Sequence, residues 1–273
     1  MTSYTTFTRA HRGGHGSPLV CLHGFLDTWR VWDLVLPRLE RHHDVLAPTL
    51  PGHAGGPRIE GEITDRLLPD AVEHAMDEAG FERAHLVGSS LGGYVALQLA
   101  ARGRAHSVVA IAPAGGWMPG DPSYEELLKL QRSIRGQARA AAPLADRILA
   151  SRDGRRRATQ LLTRNFEHIP VALLTHQLLG VAGCEAADAM IEYGLRAEWT
   201  LRPDAIACPV RVIWGSADEL LPWPRAATRY RDEWLPHADW VLLDDVGHHP
   251  QLDVPLETAE LITGFTTSSR ICG

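Results

Sequence analysis

Residues 84–103 read "AHLVGSSLGGYVALQLAARG", and the fold turns on how this stretch is read. A short apolar run ends in small residues, and a segment rich in helix formers follows at once. Such a run suits a strand buried on both faces, and the segment after it a helix packed back onto the sheet. Two serines stand at the junction. A serine held in a sharp strand-to-helix turn presents its hydroxyl above the sheet, and crowding there demands small residues two before and two after it. Ser90 has Gly88 and Gly92 in those places, whereas Ser89 would have Val87 and Leu91. Ser90 is therefore the candidate nucleophile, and Ser89 a small turn residue near the pocket floor. A glycine-flanked helix start also suits a phosphate, so the choice rests on what the rest of the chain supplies.

Working outward, apolar runs recur at 18–24, 44–52, 107–116, 209–218 and 239–249. Helical patterns are expected at 29–41, 63–80, 91–102, 223–235 and 255–267. This alternation predicts an α/β fold with a mostly parallel central sheet and helices on both faces. The early stretch "SYTTFTR" is expected to add an antiparallel edge strand. From 117 to 205 the alternation stops, and "SYEELLKLQRSIRGQARAAAPLADRILA", "RRRATQLLTRNF" and "PVALLTHQLLGVAG" read as about four helices. The chain thus divides into a core (1–116), an inserted helical cap (117–205) and the rest of the core (206–273).

A serine hydroxyl needs a base to activate it, and the base an acid to orient it. In an open parallel sheet these partners belong at other strand ends, acid before histidine. "VIWGSADELLP" puts Asp218 in a turn just past a strand, and "VLLDDVGHHPQLDVP" puts a histidine after glycine at the end of the last strand. The 30 residues from Asp218 to His248 leave room for one helix and one strand.

With "LHGFLDTW", "LPGHAGG", "GSSLGG", "WGSADELLP" and "GHHPQLDVP" in view, the chain resembles the α/β-hydrolase superfamily over nearly its whole length, in the group with a helical cap. That resemblance implies that the backbone N–H groups of Phe25 and Leu91 form an oxyanion hole. The family pattern G-H-x-x-x-x-(E/D)-x-P selects His248 through Asp253 and Pro255, leaving His249 at the pocket edge or surface. It implies that His23 braces the oxyanion loop and makes His53 a loop residue. Thr49 departs from the aspartate that many relatives carry. Haloalkane dehalogenases and epoxide hydrolases attack with aspartate, so a serine elbow counts against both.

Composition bounds the partners. The chain has 273 residues, 45% hydrophobic and 22% charged, with net charge −6. That suits a soluble globular protein and disfavours nucleic acid or anionic membrane as a partner. Cys21, Cys184, Cys208 and Cys272 are scattered without zinc-type spacing. Although four would suffice for two disulfides, their scatter and a start without an apolar leader core point to the cytoplasm. No metal or cofactor is expected, and the molecule is read as a monomer or homodimer. Trp117, Met118, Tyr124, Phe166, His168, His176 and Trp199 are candidates to line a mostly apolar pocket for a small-molecule substrate.

The expected chemistry is hydrolysis of a carboxylic ester, lactone or thioester of a small to medium apolar or aromatic substrate. A carbon–carbon bond hydrolase of diketone ring-fission products is the alternative, with Arg135, Arg139, Arg164 or Arg196 available to hold an acidic substrate. Such relatives often have asparagine where this chain has Ser89. A cofactor-free perhydrolase or haloperoxidase, an acyltransferase and a small-molecule receptor are further readings of the same residues.

Overall fold

The computed structural model describes residues 6–268. Seven strands among them form one sheet: β1 (Ala10–Gly14), β2 (Ser17–Leu22), β3 (His43–Pro48), β4 (Ala84–Ser89), β5 (Ala105–Ile111), β6 (Val210–Gly215) and β7 (Asp239–Leu243). Their spatial order is β1-β3-β2-β4-β5-β6-β7. Every neighbouring pair is parallel except β1 with β3, which runs antiparallel in the register Ala10↔Pro48 to Gly14↔Asp44. The edge strand expected from "SYTTFTR" therefore lies just after it. Residues 1–5 are outside the described residues, and Thr8 and Arg9 offer their carbonyls to the Thr49 hydroxyl and amide, closing off the end of the ladder.

The central strand β4 is buried along its whole length, as a strand covered on both faces must be. Successive residues alternate between two cores. Val20, Leu22, Leu86, Val108, Val212 and Trp214 face one, while Leu19, Cys21, Val87, Val109 and Ile213 face the other. In chain order the helices of the core are α1 (Leu36–Leu39), α2 (Leu67–Glu78) and α3 (Leu91–Ala101). Between β5 and β6 the chain runs through α4 (Ser123–Ala141), α5 (Ala145–Ala150), α6 (Arg152–Thr159), α7 (Val171–Gly183) and α8 (Ala187–Gly194). After the sheet come α9 (Pro250–Asp253) and α10 (Pro255–Ser268).

Two expected helices differ. The 29–41 pattern splits into a 3-10 turn, Trp29–Trp32, and the short α1, because Pro37 lacks the amide that would continue the first turn. The 223–235 pattern forms only a 3-10 turn at Arg225–Ala227 and a π-turn at Tyr230–Trp234. There the Arg229 amide bonds outward to Gly116 O, and the Tyr230 hydroxyl donates to Ala114 O, so tertiary partners displace the helical ladder. The thiols of Cys21, Cys184 and Cys208 are free, and Cys272 lies outside the described residues. No helix among the described residues is long and apolar enough to cross a membrane.

Candidate active site

The site begins where β4 turns into α3. Ser90 sits at φ 54° and ψ −118°, outside the conformations most side chains adopt, at a typical cost of about 1–3 kcal/mol. The surroundings hold it there. Its amide donates to Ile111 O at 2.8 Å, and its carbonyl accepts from the amides of Gly93, Tyr94 and Ala114 at 3.0–3.2 Å. The flanking glycines have a steric reason. A Cβ on Gly88 would lie 2.1 Å from Gly92 O, and one on Gly92 would lie 2.3 Å from Leu22 O. No larger residue fits without moving the backbone of β2 or α3.

Two neighbouring strand ends bring the other candidates together. Beyond β6, Asp218 Oδ1 accepts from the amides of Leu220 (2.9 Å) and Leu221 (2.7 Å), which fixes the carboxylate. Its Oδ2 accepts from His248 Nδ1 at 2.7 Å, with the two side chains only 0% and 1% exposed. That bond places the proton on Nδ1 and leaves Nε2 as the acceptor of the neutral ring. Ser90 Oγ makes no hydrogen bond to any described residue, His248 included; such bonds are commonly long without substrate. Asp244 and Asp245 are exposed and engage Ser216 and Arg164 instead.

Asp253 explains why a carboxylate follows the histidine at this spacing. Buried in α9, it accepts from the amides of Gly247 (2.7 Å), Arg164 (2.9 Å) and Asn165 (2.7 Å). One side chain thereby pins the histidine loop to the segment between α6 and α7.

On the other side of Ser90 runs the loop after β2. A Cβ on Gly24 would lie 3.2 Å from Ser90 Cβ, so this backbone passes directly against the elbow. His23 Nδ1 donates to Gly24 O (2.7 Å), and Nε2 accepts from the Leu50 amide (2.9 Å). Burial, with His53 beside it, holds His23 well below the usual imidazole range, so it stays neutral in that tautomer. Leu26 follows at φ 65°. Asp27 then buries a carboxylate whose Oδ1 accepts from the Thr28 amide at 2.7 Å. Burial pushes this carboxyl up to about 7, opposed by the Thr28 bond and the nearby His248.

A cavity of about 950 Å³, counting its open mouth, lies above the elbow. Phe25, Ser90 and Leu91 line one end, and Trp117, Tyr124 and Trp199 line it from the segment between β5 and β6. Other expected residues do not line it. Ser89 is fully buried and accepts from Gln251 Nε2. Phe166 belongs to the core on the opposite face of the sheet. His168 donates to Leu252 O, and His176 pairs with Thr28 Oγ1. Met118 is largely exposed and also lies off the cavity. His249 is neither at the pocket edge nor on the surface. It is buried against His248, its amide donating to Leu162 O, and burial holds its imidazole well below the usual range. Sequence reasoning missed the contribution of α3, through Tyr94 and Gln98, and of α4, through Leu127, Leu128 and Gln131. The α4 signal was present, since 124, 127, 128 and 131 share one helical face.

Among known proteins, this chain is 33% identical over 211 residues to "Epoxide hydrolase EphH" of Mycobacterium tuberculosis, covering 74% of this chain and 95% of that protein. It is 31% identical over 271 residues to a pimeloyl-[acyl-carrier protein] methyl ester esterase of Aromatoleum aromaticum (89% and 96% covered). A 2-hydroxymuconate semialdehyde hydrolase of Pseudomonas sp. strain CF600 is 26% identical over 267 residues (94% and 89%). In fold it matches a thermophilic esterase from Thermogutta terrifontis at TM-score 0.72 and 21% identity, covering 95% of this chain and 93% of that one. The family model described as alpha/beta hydrolase fold matches residues 17–255. With the sheet order, the strained turn at Ser90 and this match in agreement, the chain belongs to the alpha/beta hydrolase fold family.

Proposed function

We propose that the protein is a serine hydrolase that cleaves a carboxylic ester through an acyl-enzyme, with the helices between β5 and β6 acting as a cap over the substrate. The observation that carries this reading is the strained Ser90, opening with Phe25 and Leu91 into one cavity. In the proposed sequence Ser90 Oγ attacks the ester carbonyl while His248 Nε2 takes its proton. The amides of Phe25 and Leu91 stabilise the oxyanion, a role in which one donor is typically worth about 3–4 kcal/mol. The tetrahedral intermediate collapses, the C–O bond to the alcohol breaks, and His248 returns the proton to that oxygen. Water, deprotonated by His248, then attacks the acyl carbon, and Ser90 leaves with the proton. Asp218 holds the ring and balances the charge on its protonated form.

Carbon–carbon cleavage of an acidic ring-fission product fits less well. Among the described residues, no lysine, arginine or histidine lines the cavity. Arg135 is spent on Cys184 O and Asp188, and Arg164 on Asp245 and Glu219. The relative named an epoxide hydrolase favours a second reading, epoxide opening. Attack by a serine oxygen on an epoxide would leave an ether, with no carbonyl at which water could release the product.

The deciding experiment is hydrolysis of p-nitrophenyl esters from acetate to dodecanoate by wild type and Ser90→Ala. The expected result is turnover that falls at least about 10³-fold in the variant. Turnover of styrene oxide without ester turnover, or ester turnover that survives Ser90→Ala, would overturn the proposal.

A further inference from the structure

Beside Ser90 and the unpaired Nε1 of Trp199, the cavity wall holds a side-chain amide that the fold leaves without a partner. Gln131 lies on the face of α4 that carries Tyr124, Leu127 and Leu128. It is 8% exposed, lines the cavity, and makes no side-chain hydrogen bond among the described residues. Several neighbours are paired instead. Gln98 donates to the Tyr94 hydroxyl, which donates to Thr200 O, and the Tyr124 hydroxyl donates to Gly194 O. The Gln131 amide is not among the fully buried unpaired groups, so it keeps contact with the open cavity, and enclosing that amide without a bond would be costly. An unpaired one facing a cavity is poised to pair with whatever fills the cavity.

The charges narrow the choice further. Among the described residues lining the cavity, the acidic side chains are Asp65 and Glu198, both exposed, and none is basic. Such a lining disfavours an anion. The remaining lining is mostly leucine, isoleucine, methionine and aromatic residues.

We infer that Gln131 is a specificity residue that binds an uncharged hydrogen-bonding group, a hydroxyl or amide, on the substrate at a distance from the scissile ester. The ester itself rests on the reading above, but the recognition does not. A plain alkyl ester leaves the Gln131 amide dry and unpaired, a neutral polar substituent satisfies it, and a carboxylate substituent meets the acidic mouth. The preferred substrate class is therefore an ester carrying a remote hydroxyl or amide.

The test uses methyl ω-hydroxyalkanoates against methyl alkanoates of matched length, with monomethyl esters of diacids as the anionic series. Binding is followed in Ser90→Ala by fluorescence of Trp117 and Trp199, and turnover in wild type by acid release. At the best-fitting length the hydroxy ester should bind about tenfold tighter than its alkyl counterpart, and the diacid monoester more weakly than either. Adding Gln131→Met, which keeps the side-chain length, should abolish the hydroxyl preference, and Gln131→Glu should retain it. Because binding needs no chemistry, this preference upholds the assignment even if the wild type turns over no ester. Equal or undetectable binding at every length, or a preference that survives Gln131→Met, overturns it.

Discussion

Asp27 is a carboxyl group held far from its ordinary state. It lies two positions after Phe25, buried, with its carboxyl pushed up to about 7 from an ordinary value of about 3.9. Between those two values the folded protein keeps a proton that the unfolded chain has released. Stability therefore falls as pH rises through that window, and the cost is fully present above about pH 7. Asp27→Asn keeps an oxygen to accept the Thr28 amide and removes the charge. The variant should gain stability at pH 8, up to a ceiling of about 4 kcal/mol, and much less at pH 5. Urea midpoints at the two pH values measure this directly. An equal gain at both would show that the carboxylate ionises freely in the fold.

At the scale of elements, the elbow and α4 treat glycine in opposite ways. Gly92 opens α3 where the helix crosses the end of β2, and an added Cβ would meet the backbone oxygens of Leu22 and His23 at 2.3 and 2.6 Å. Neither oxygen belongs to a flexible side chain, so Gly92→Ala should cost about 3 kcal/mol or more. Gly136 sits exposed inside α4 with nothing within 4 Å of an added Cβ. Gly136→Ala should therefore stabilise the protein by about 0.5–1 kcal/mol through lower chain entropy. Thermal melts of the two variants should move in opposite directions. A tolerated Gly92→Ala would mean that the strand-to-helix junction has more room than its backbone contacts indicate.

For the molecule as a whole, Asp253 makes three of the bonds that join the histidine loop to the segments around α6 and α7. Beside them stand the His249 amide bond to Leu162 O and the His168 bond to Leu252 O. Asp253→Ala would strand the amides of Gly247, Arg164 and Asn165, each bonded now to a carboxyl oxygen of Asp253. A loss of about 3–5 kcal/mol is expected, with kcat/KM on a p-nitrophenyl ester reduced even where the protein remains folded. Loss of stability with unchanged kcat/KM would show that His248 keeps its place without this anchor.

Much of this was legible beforehand because the deciding signals are local. Runs of valine, leucine and isoleucine reveal buried parallel strands, since a strand covered on both faces has no polar side. Gly88 and Gly92 single out Ser90 over Ser89, because backbone crowding at a strand-to-helix turn acts over two residues. Chain order puts Asp218 and His248 at strand ends, and the sheet brings them within 2.7 Å. Side-chain type alone did not reveal what lines the cavity. Phe166, His168, His176 and His249 are all plausible pocket residues by chemistry, yet each is claimed by packing or a hydrogen bond elsewhere. Gln131, unremarkable in the sequence, becomes notable only where α4 turns that face toward the elbow. Strand burial and the elbow were thus determined by neighbours along the chain, whereas only the tertiary structure decided the cavity wall, because each lining position depends on how separate helices pack across it.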